Sequence, residues 1–235
     1  MINTAAITNS KLNQYRLRVR YRKDGRLAHL GHLEVINTIN RSVRRSQLPF
    51  AVGNGFARRM RLQFSQALPV GAASLGEYFD LFLTEEMDPK AALDRLATSS
   101  PTLLAPMAAG YVPYGLPALE AWLTRSTWSV NVIDETSVET LARGIDAVRA
   151  QGSLTYLRGE KEKHVDLGRT LVSCEMRPSG NGFLLDCRST EEGSLRPAVL
   201  IAAAAREEGL AMPALSVCRV AQWHEDEDGS LVEPM

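Results

Sequence analysis

The fold is decided by an alternating segment near the start of the chain, Tyr15-Arg16-Leu17-Arg18-Val19-Arg20-Tyr21-Arg22. Successive side chains of a β-strand point to opposite faces, so the segment predicts a strand with apolar residues on one face and four arginines on the other. A guanidinium group keeps its charge at physiological pH, and four in a row are costly without anionic partners. We therefore expect an anion, with nucleic acid the commonest ligand, to lie across this arginine row.

Charge is segregated along the sequence, although the chain as a whole has 27 basic and 27 acidic residues. Between Lys11 and Arg61 there are thirteen basic residues and only two acidic ones, Asp24 and Glu34, which leaves 14 basic and 25 acidic residues elsewhere. A chain of this kind can present a local anion-binding face without being a basic protein overall. The alternative is that the arginines pair with the acidic remainder in an internal ion-pair network.

Length and composition indicate an ordinary soluble protein of two domains. The 235 residues suit two domains of roughly 100 to 120 residues each, and 45% of the residues are hydrophobic. There is no apolar run long enough for a membrane span and no signal-peptide pattern, so we predict a cytoplasmic location without membrane association. Cys174, Cys187 and Cys218 are far apart and lie in apolar runs, which favours buried free thiols over a metal site. We expect neither a metal nor a cofactor.

The two halves of the sequence repeat one order of elements: strand, helix, strand, strand, helix, strand. In the first half the predicted elements span residues 15–22, 28–46, 61–68, 78–84, 88–98 and 103–109. In the second half they span 127–133, 137–150, 154–158, 170–177, 183–188, 195–208 and 214–223, with one additional strand. This order predicts an α+β protein of two ferredoxin-like (βαββαβ) halves, each an antiparallel sheet with helices on one face.

Prolines and glycines between residues 110 and 117 predict a linker between the halves. We divide the chain into a flexible N-terminus 1–14, a basic ferredoxin-like domain 15–110, a linker 111–126, a second ferredoxin-like domain 127–224 and an acidic tail 225–235. Many ferredoxin-like RNA-binding modules hold nucleic acid on the sheet face without helices. In the first domain that face carries the arginine row.

A glycine-bearing loop, Gly53-Asn54-Gly55-Phe56, is the second candidate binding element. Its glycines let the backbone approach a phosphate, Phe56 can stack on a base, and the arginines that follow add charge. The alternative is a connecting loop that Phe56 anchors to the core. The complete predicted nucleic-acid-binding set is Arg16, Arg18, Arg20, Arg22, Lys23, Arg41, Arg44, Arg45, Phe56, Arg58, Arg59 and Arg61.

His29 and His32 are the candidate catalytic residues. Three positions apart at the start of the first helix, they lie on one face close to the basic strand. A histidine there can act as a general acid or base on a ribose hydroxyl, which is the chemistry of metal-independent RNA cleavage. The alternatives are that one packs and the other bonds a loop carbonyl, or that both bind a metal, although no third ligand stands nearby.

Several motifs in register resemble one known family. They are the run from Tyr15 to Glu34, Arg44-Arg45-Ser46-Gln47-Leu48-Pro49, Gly53-Asn54-Gly55-Phe56, Ala67-Leu68-Pro69-Val70-Gly71 and Gly76-Glu77-Tyr78. The chain resembles the radical-SAM-linked domain family of unknown function, which occurs in bacteria fused behind or encoded beside a cobalamin-type radical SAM protein, often near an E/G-type ribonuclease. The likeness is thinner in the second half, where it rests mainly on residues 161–171. Among the charged residues there, Arg158, Lys161 and Lys163 either extend the basic surface or form a charged hairpin.

The resemblance implies a partner and an RNA-related setting, but it carries no reaction. Our leading hypothesis is an RNA-binding or substrate-delivery accessory protein that acts with a separately encoded radical SAM enzyme and is not an enzyme by itself. One alternative is a metal-independent endoribonuclease that uses His29 and His32. Another is a protein-interaction adaptor whose basic face docks an acidic surface of the radical SAM enzyme or of the ribonuclease.

Overall fold

The chain has a mixed α+β fold in a computed structural model that describes residues 8–9 and 14–235. The predicted α+β class is therefore confirmed, whereas most of the predicted flexible segment 1–14 lies outside the described residues. The chain divides into two compact units. Unit 1 runs to Leu123 and includes the returning segment Glu233–Met235, and unit 2 is Thr124–Val232.

Unit 1 combines an antiparallel sheet with two longer helices. Its elements are β1 (Thr8–Asn9), β2 (Gln14–Lys23), α1 (His32–Arg45), β3 (Leu62–Phe64), β4 (Ala73–Leu83), α2 (Pro89–Ser99), β5 (Pro106–Tyr111) and α3 (Leu119–Trp122). The strands lie in the order β5-β2-β4-β3, with antiparallel neighbours, and β1 pairs with the start of β2. The predicted helix 28–46 is a 3-10 turn, Gly25–His29, followed by α1.

The apolar face of β2 forms the core of unit 1, as the alternation predicts. Leu17 and Val19 are fully buried in a cluster with Val35, Ile39 and Val43 of α1. The spacing of the three helix residues places them on one face of α1, which packs on the sheet. The opposite face of β2 is therefore the one that carries the arginine row.

Unit 2 combines antiparallel sheet strands with a separate two-stranded ribbon. Its elements are β6 (Arg125–Val132), α4 (Val138–Ala150), β7 (Ser153–Arg158), β8 (Lys161–Asp166), α5 (Leu167–Thr170), β9 (Leu171–Met176), β10 (Gly182–Thr190), β11 (Gly193–Ser194), α6 (Pro197–Glu207), β12 (Leu215–Glu225) and β13 (Leu231–Val232). The sheet has the order β9-β10-β6-β12, and each neighbouring pair is antiparallel. The ribbon consists of β7 and β8, which pair only with each other within the described residues.

Helices α4 and α6 approach closely at Gly144. A Cβ atom added at Gly144 would lie 2.3 Å from the carbonyl oxygen of Ala204, far inside van der Waals contact. Only glycine fits there, and the small residues in the centre of α6 serve the same close packing.

The segment 225–235, which the sequence predicts to be an acidic tail, contains regular structure. Glu225 completes β12, and β13 pairs back onto it with His224 opposite Val232. Both carboxylate oxygens of Glu225 accept hydrogen bonds from Arg188, and Arg125 donates to Oε1 as well. Within the described part of the chain, no helix has the length and apolarity needed to cross a membrane.

Candidate nucleic-acid interface

Two members of the arginine row are buried rather than exposed. Arg16 and Arg18 expose 1% and 0% of their surface, and Asp80 of β4 is fully buried beside them. Nε of Arg16 donates to Oδ2 of Asp80 and Nε of Arg18 donates to Oδ1, both at 2.7 Å. One carboxylate thus serves two guanidinium groups, so the remaining donors need other acceptors.

Arg16 uses its remaining N–H groups on unit 1 itself. Nη1 donates to the carbonyl oxygen of Leu116 at 2.6 Å, and Nη2 donates to that of Pro117 at 2.8 Å and to Oε1 of Gln63 at 3.0 Å. Neutral acceptors therefore take the Arg16 donors that Asp80 does not bind. A guanidinium with its donors already occupied has nothing left for a phosphate.

Arg18 is covered in the same way. Nη1 donates to the carbonyl oxygen of Pro234 at 2.9 Å, and the guanidinium carbon lies 4.7 Å from the centre of a Trp122 ring. Trp122 packs with Tyr78 and Leu119 in a small apolar cluster. The segment 112–123, which the sequence predicted to be part of a linker, lies over the arginine row. The predicted exposure of Arg16 and Arg18 is therefore wrong, and with it the geometric reason to place nucleic acid on them.

Arg20 and Arg22 lie at the other end of β2 and are half-exposed. Nε of Arg20 donates to the carbonyl oxygen of Leu75 at 3.0 Å. Nε and Nη2 of Arg22 both donate to that of Thr102, at 3.2 and 3.0 Å. These hydrogen bonds leave other N–H groups of each arginine for solvent. They do not place either arginine beside a second cation.

Two further predicted binding residues serve the fold. Lys23 is buried, and its Nζ donates to the carbonyl oxygens of Ala28 and Leu30 at 2.8 Å each. Arg61 is half-buried, with its guanidinium carbon 4.4 Å from the centre of the Phe82 ring. Both cations hold neighbouring segments together, so we remove them from the candidate interface.

The segment 53–59, here called the Phe56 loop, is exposed over most of its length. A turn closes it, because the backbone N–H of Gly53 donates to the carbonyl oxygen of Arg59 and that of Arg58 donates to Gly55. Phe56 is fully exposed, so the alternative that it anchors the loop to the core is wrong. Arg58 and Arg59 are also exposed, and neither has an ion-pair partner among the described residues. An aromatic ring and two unpaired cations therefore project together into solvent.

The basic end of α1 adjoins this loop. Arg41, Arg44 and Arg45 are exposed, and the guanidinium carbon of Arg44 lies 5.8 Å from the centre of the Phe50 ring. Gly53 follows Phe50 by three residues, which span at most about 11 Å, and the hydrogen bond from Gly53 to Arg59 brings both ends of the Phe56 loop to this place.

Two exposed carboxylates lie at the same end of unit 1. The backbone N–H of Thr84 donates to the carbonyl oxygen of Pro49 at 2.7 Å, and Glu85 and Glu86 follow directly. The arginines of the loop and of the helix end still outnumber them. The candidate interface is this end of unit 1, formed by Arg41, Arg44, Arg45, Phe56, Arg58 and Arg59.

The two candidate catalytic histidines have different surroundings. The ring of His32 packs edge-on against Phe64, with the ring centres 6.1 Å apart, and His29 is exposed in the 3-10 turn. Among the described residues, no carboxylate or hydroxyl bonds either ring. The same part of the chain contains no group of three His, Cys, Asp or Glu side chains that could hold a metal ion.

Comparison with known proteins identifies the family of this chain. The profile of one family, described as an uncharacterized protein conserved in bacteria (DUF2344), matches residues 16–197. No curated protein matches the sequence. The matched span includes most of β2, the Phe56 loop and the ribbon of unit 2, and it covers well over half of the 235 residues. The chain therefore belongs to DUF2344, a family of uncharacterized proteins conserved in bacteria.

Proposed function

We propose that this protein is a noncatalytic RNA-binding accessory protein, and that it holds unpaired RNA at the Phe56 loop and the adjoining end of α1. The observation that carries the proposal is the full exposure of Phe56 beside Arg58 and Arg59. An exposed phenyl ring gains nothing from the fold, whereas stacking of a base on an aromatic ring contributes about 1–3 kcal/mol. The neighbouring arginines supply the phosphate contacts that give most of the affinity for nucleic acid.

The backbone conformation of the Phe56 loop also supports a role of this loop in binding. Arg58 has a φ of 41°, in the left-handed region that a residue with a Cβ rarely adopts. Such strain is found more often at binding and switch regions than elsewhere. In this proposal the turn holds Arg58 at the tip beside Phe56 at the expense of local stability.

The proposal also covers architecture and partners. We infer that each unit is a ferredoxin-like module, an inference supported by the strand orders β5-β2-β4-β3 and β9-β10-β6-β12. We further propose a separately encoded radical SAM enzyme as the partner, with an E/G-type ribonuclease as a second one. The support for these partners is the resemblance carried by the sequence motifs.

The test is binding of a short, unstructured, labelled RNA, followed by fluorescence anisotropy over a series of salt concentrations. The wild-type affinity should fall as salt rises. Phe56→Ala should weaken it by about tenfold through lost stacking. Arg58→Gln/Arg59→Gln should weaken it and reduce the slope of log K against log salt by about 1.4, which is the single-strand value for two phosphate contacts.

The matched control is Arg143→Gln/Arg149→Gln, which removes two exposed arginines of α4 in unit 2. It should bind like the wild type. Wild-type protein without salt-dependent RNA binding would refute the proposal. If it instead binds the partner enzyme in nuclease-treated lysate, the adaptor hypothesis would replace it.

A further inference from the structure

We infer that the ribbon of unit 2, formed by β7, β8 and the turn 159–160, is a second nucleic-acid contact that binds the phosphate backbone of a duplex. The inference rests on the proposed function only in taking nucleic acid as the ligand. A different unit of the protein and a different arrangement of side chains carry it.

The pairing of the ribbon places its cations on one face. Arg158 lies opposite Lys161, and Tyr156 lies opposite Lys163. Residues directly opposite each other in an antiparallel pair project to the same side, and alternate pairs share a face. Arg158, Lys161, Lys163 and Tyr156 therefore form one surface, here called the basic face.

The base of the ribbon is fixed, and the rest of it is exposed. Leu154 and Val165, the next pair on the same side, are buried and anchor the ribbon to unit 2. Beyond them, the three cations are exposed and Tyr156 is half-exposed. The basic face is thus held at one end and presented to solvent along the remainder.

Two acidic residues of the ribbon strands lie on the opposite side. Glu162 pairs with Leu157, and Asp166 pairs with Ser153. Glu160 lies in the turn between the strands. Because successive side chains alternate between the two faces of the ribbon, its basic residues lie on one face and the acidic residues of its strands lie on the other.

The cations of the basic face lack internal partners. In the described part of the chain, no carboxylate forms an ion pair with Arg158, Lys161 or Lys163. Like charges directly opposite on a pair of strands are destabilising, and Arg158 and Lys161 form such a pair. An arrangement that costs stability without compensation inside the fold indicates an external anion.

The spacing of the basic face fits a duplex backbone. Lys161 and Lys163 are about 6.6 Å apart along β8, and the strands are about 5 Å apart, so three cations lie within roughly 10 Å. Each strand of a duplex carries one phosphate charge per about 3.4 Å of its axis, so at least two phosphates of one strand lie within that reach. The Tyr156 hydroxyl adds a hydrogen-bond donor of the kind that phosphate oxygens accept. A two-stranded ribbon is also an element that the major groove of B-form DNA admits.

The test uses three probes: a blunt RNA duplex, a DNA duplex of the same sequence and an unstructured single-stranded RNA. Lys161→Gln/Lys163→Gln should bind the RNA duplex about tenfold more weakly than the wild type, with a salt slope reduced by about two. Its affinity for single-stranded RNA should be unchanged. Arg143→Gln/Arg149→Gln, the control with the same change of charge, should bind all three probes like the wild type.

The probes separate this inference from the proposed function. Loss of duplex binding in a protein that never binds single-stranded RNA would support the ribbon and refute the Phe56 loop. An equal loss on RNA and DNA duplexes would support a backbone contact that ignores the 2′-hydroxyl group. Wild-type affinity and slope of the ribbon variant on both duplexes would overturn the inference. Thermal unfolding provides a folding control, because removal of the like-charged pair should leave the melting temperature equal or higher.

Discussion

Asp80 holds Arg18 through two hydrogen bonds, from Nε to Oδ1 at 2.7 Å and from Nη2 to Oδ2 at 3.0 Å, and both side chains are fully buried. This bidentate pair joins the two central strands of the unit 1 sheet, β2 and β4. Arg18, in the arginine row, therefore stabilises the fold. The exposed arginines of the candidate interface lie in the Phe56 loop and at the end of α1.

Asp80→Asn should destabilise the protein by about 3–5 kcal/mol, because it leaves two buried guanidinium groups without a carboxylate. The free energy of unfolding from urea denaturation measures the effect. The control is Asp94→Asn in the exposed pair with Lys90, where both side chains are mainly in solvent. That change should cost less than about 0.5 kcal/mol. Equal effects of the two substitutions would show that the buried pair is not a structural requirement.

Arg58→Gly should raise the free energy of unfolding by about 1 kcal/mol and weaken RNA binding at the same time. The gain arises because glycine adopts the left-handed conformation of residue 58 without the clash of a Cβ. The loss arises because a phosphate contact is removed. Paired measurements of urea denaturation and RNA anisotropy test both parts, with Arg59→Gly as the control that should lose affinity without the gain in stability. A destabilised Arg58→Gly protein would contradict the assignment of strain to this turn.

Glu225 should make the stability of the protein depend on pH in the acid range. Hydrogen bonds from Arg188, followed by those from Arg125, lower the pKa of Glu225 from 4.5 to about 2. Because the pKa is lower in the folded state, the stabilisation is complete above about pH 5 and is lost as the pH falls toward 2. Glu225→Gln should therefore cost roughly 2 kcal/mol near neutral pH, after allowance for solvent screening, and progressively less as the pH falls.

Denaturation of wild type and Glu225→Gln at several pH values between about 2 and 7 measures this dependence. Glu227→Gln is a suitable control because Glu227 is exposed and has no ion pair among the described residues. A constant difference between wild type and Glu225→Gln over the whole range would contradict the lowered pKa.

Gly144→Ala should destabilise unit 2, although glycine-to-alanine changes inside helices usually stabilise by about 0.5–1 kcal/mol. The new Cβ would meet the carbonyl oxygen of Ala204 at 2.3 Å, so α4 and α6 must move apart. The expected cost is about 1–3 kcal/mol, typical of overpacking. Thermal unfolding measures it, and a melting temperature at or above that of the wild type would show that the helices do not approach so closely.

Sequence alone predicted the faces of β2 but not what covers them. The alternation of residues 15–22 correctly placed Leu17 and Val19 in the core, because a period of two fixes the side of each residue. It carries no information on the partner of the polar side, which comes from residues far along the chain. The available signal was Asp80, one of two acidic residues in the largely apolar strand β4 and directly opposite Arg18.

The covering segment was missed for a similar reason. Its prolines and glycines are typical of a linker, yet Leu119 and Trp122 are spaced as neighbours on one face of a helical turn. In unit 2, Lys161–Asp166 was not among the predicted strands because it is almost entirely polar, although a charged hairpin there was one of the alternatives. Only its pairing with β7 across the turn 159–160 makes it a strand. Local pattern therefore predicted the elements whose core face is apolar and missed those defined by their partners.

The central claim is that the Phe56 loop, and not the arginine row, contacts RNA. Photocrosslinking of RNA that contains 4-thiouridine, followed by digestion with a glutamate-specific protease and mass spectrometry, tests it most directly. We expect the main adducts of single-stranded RNA on the peptide Val35–Glu77, which includes Phe56, and their loss on competition with unlabelled RNA. Adducts concentrated on the peptide Met1–Glu34, which contains β2, with Val35–Glu77 unmodified, would contradict the claim.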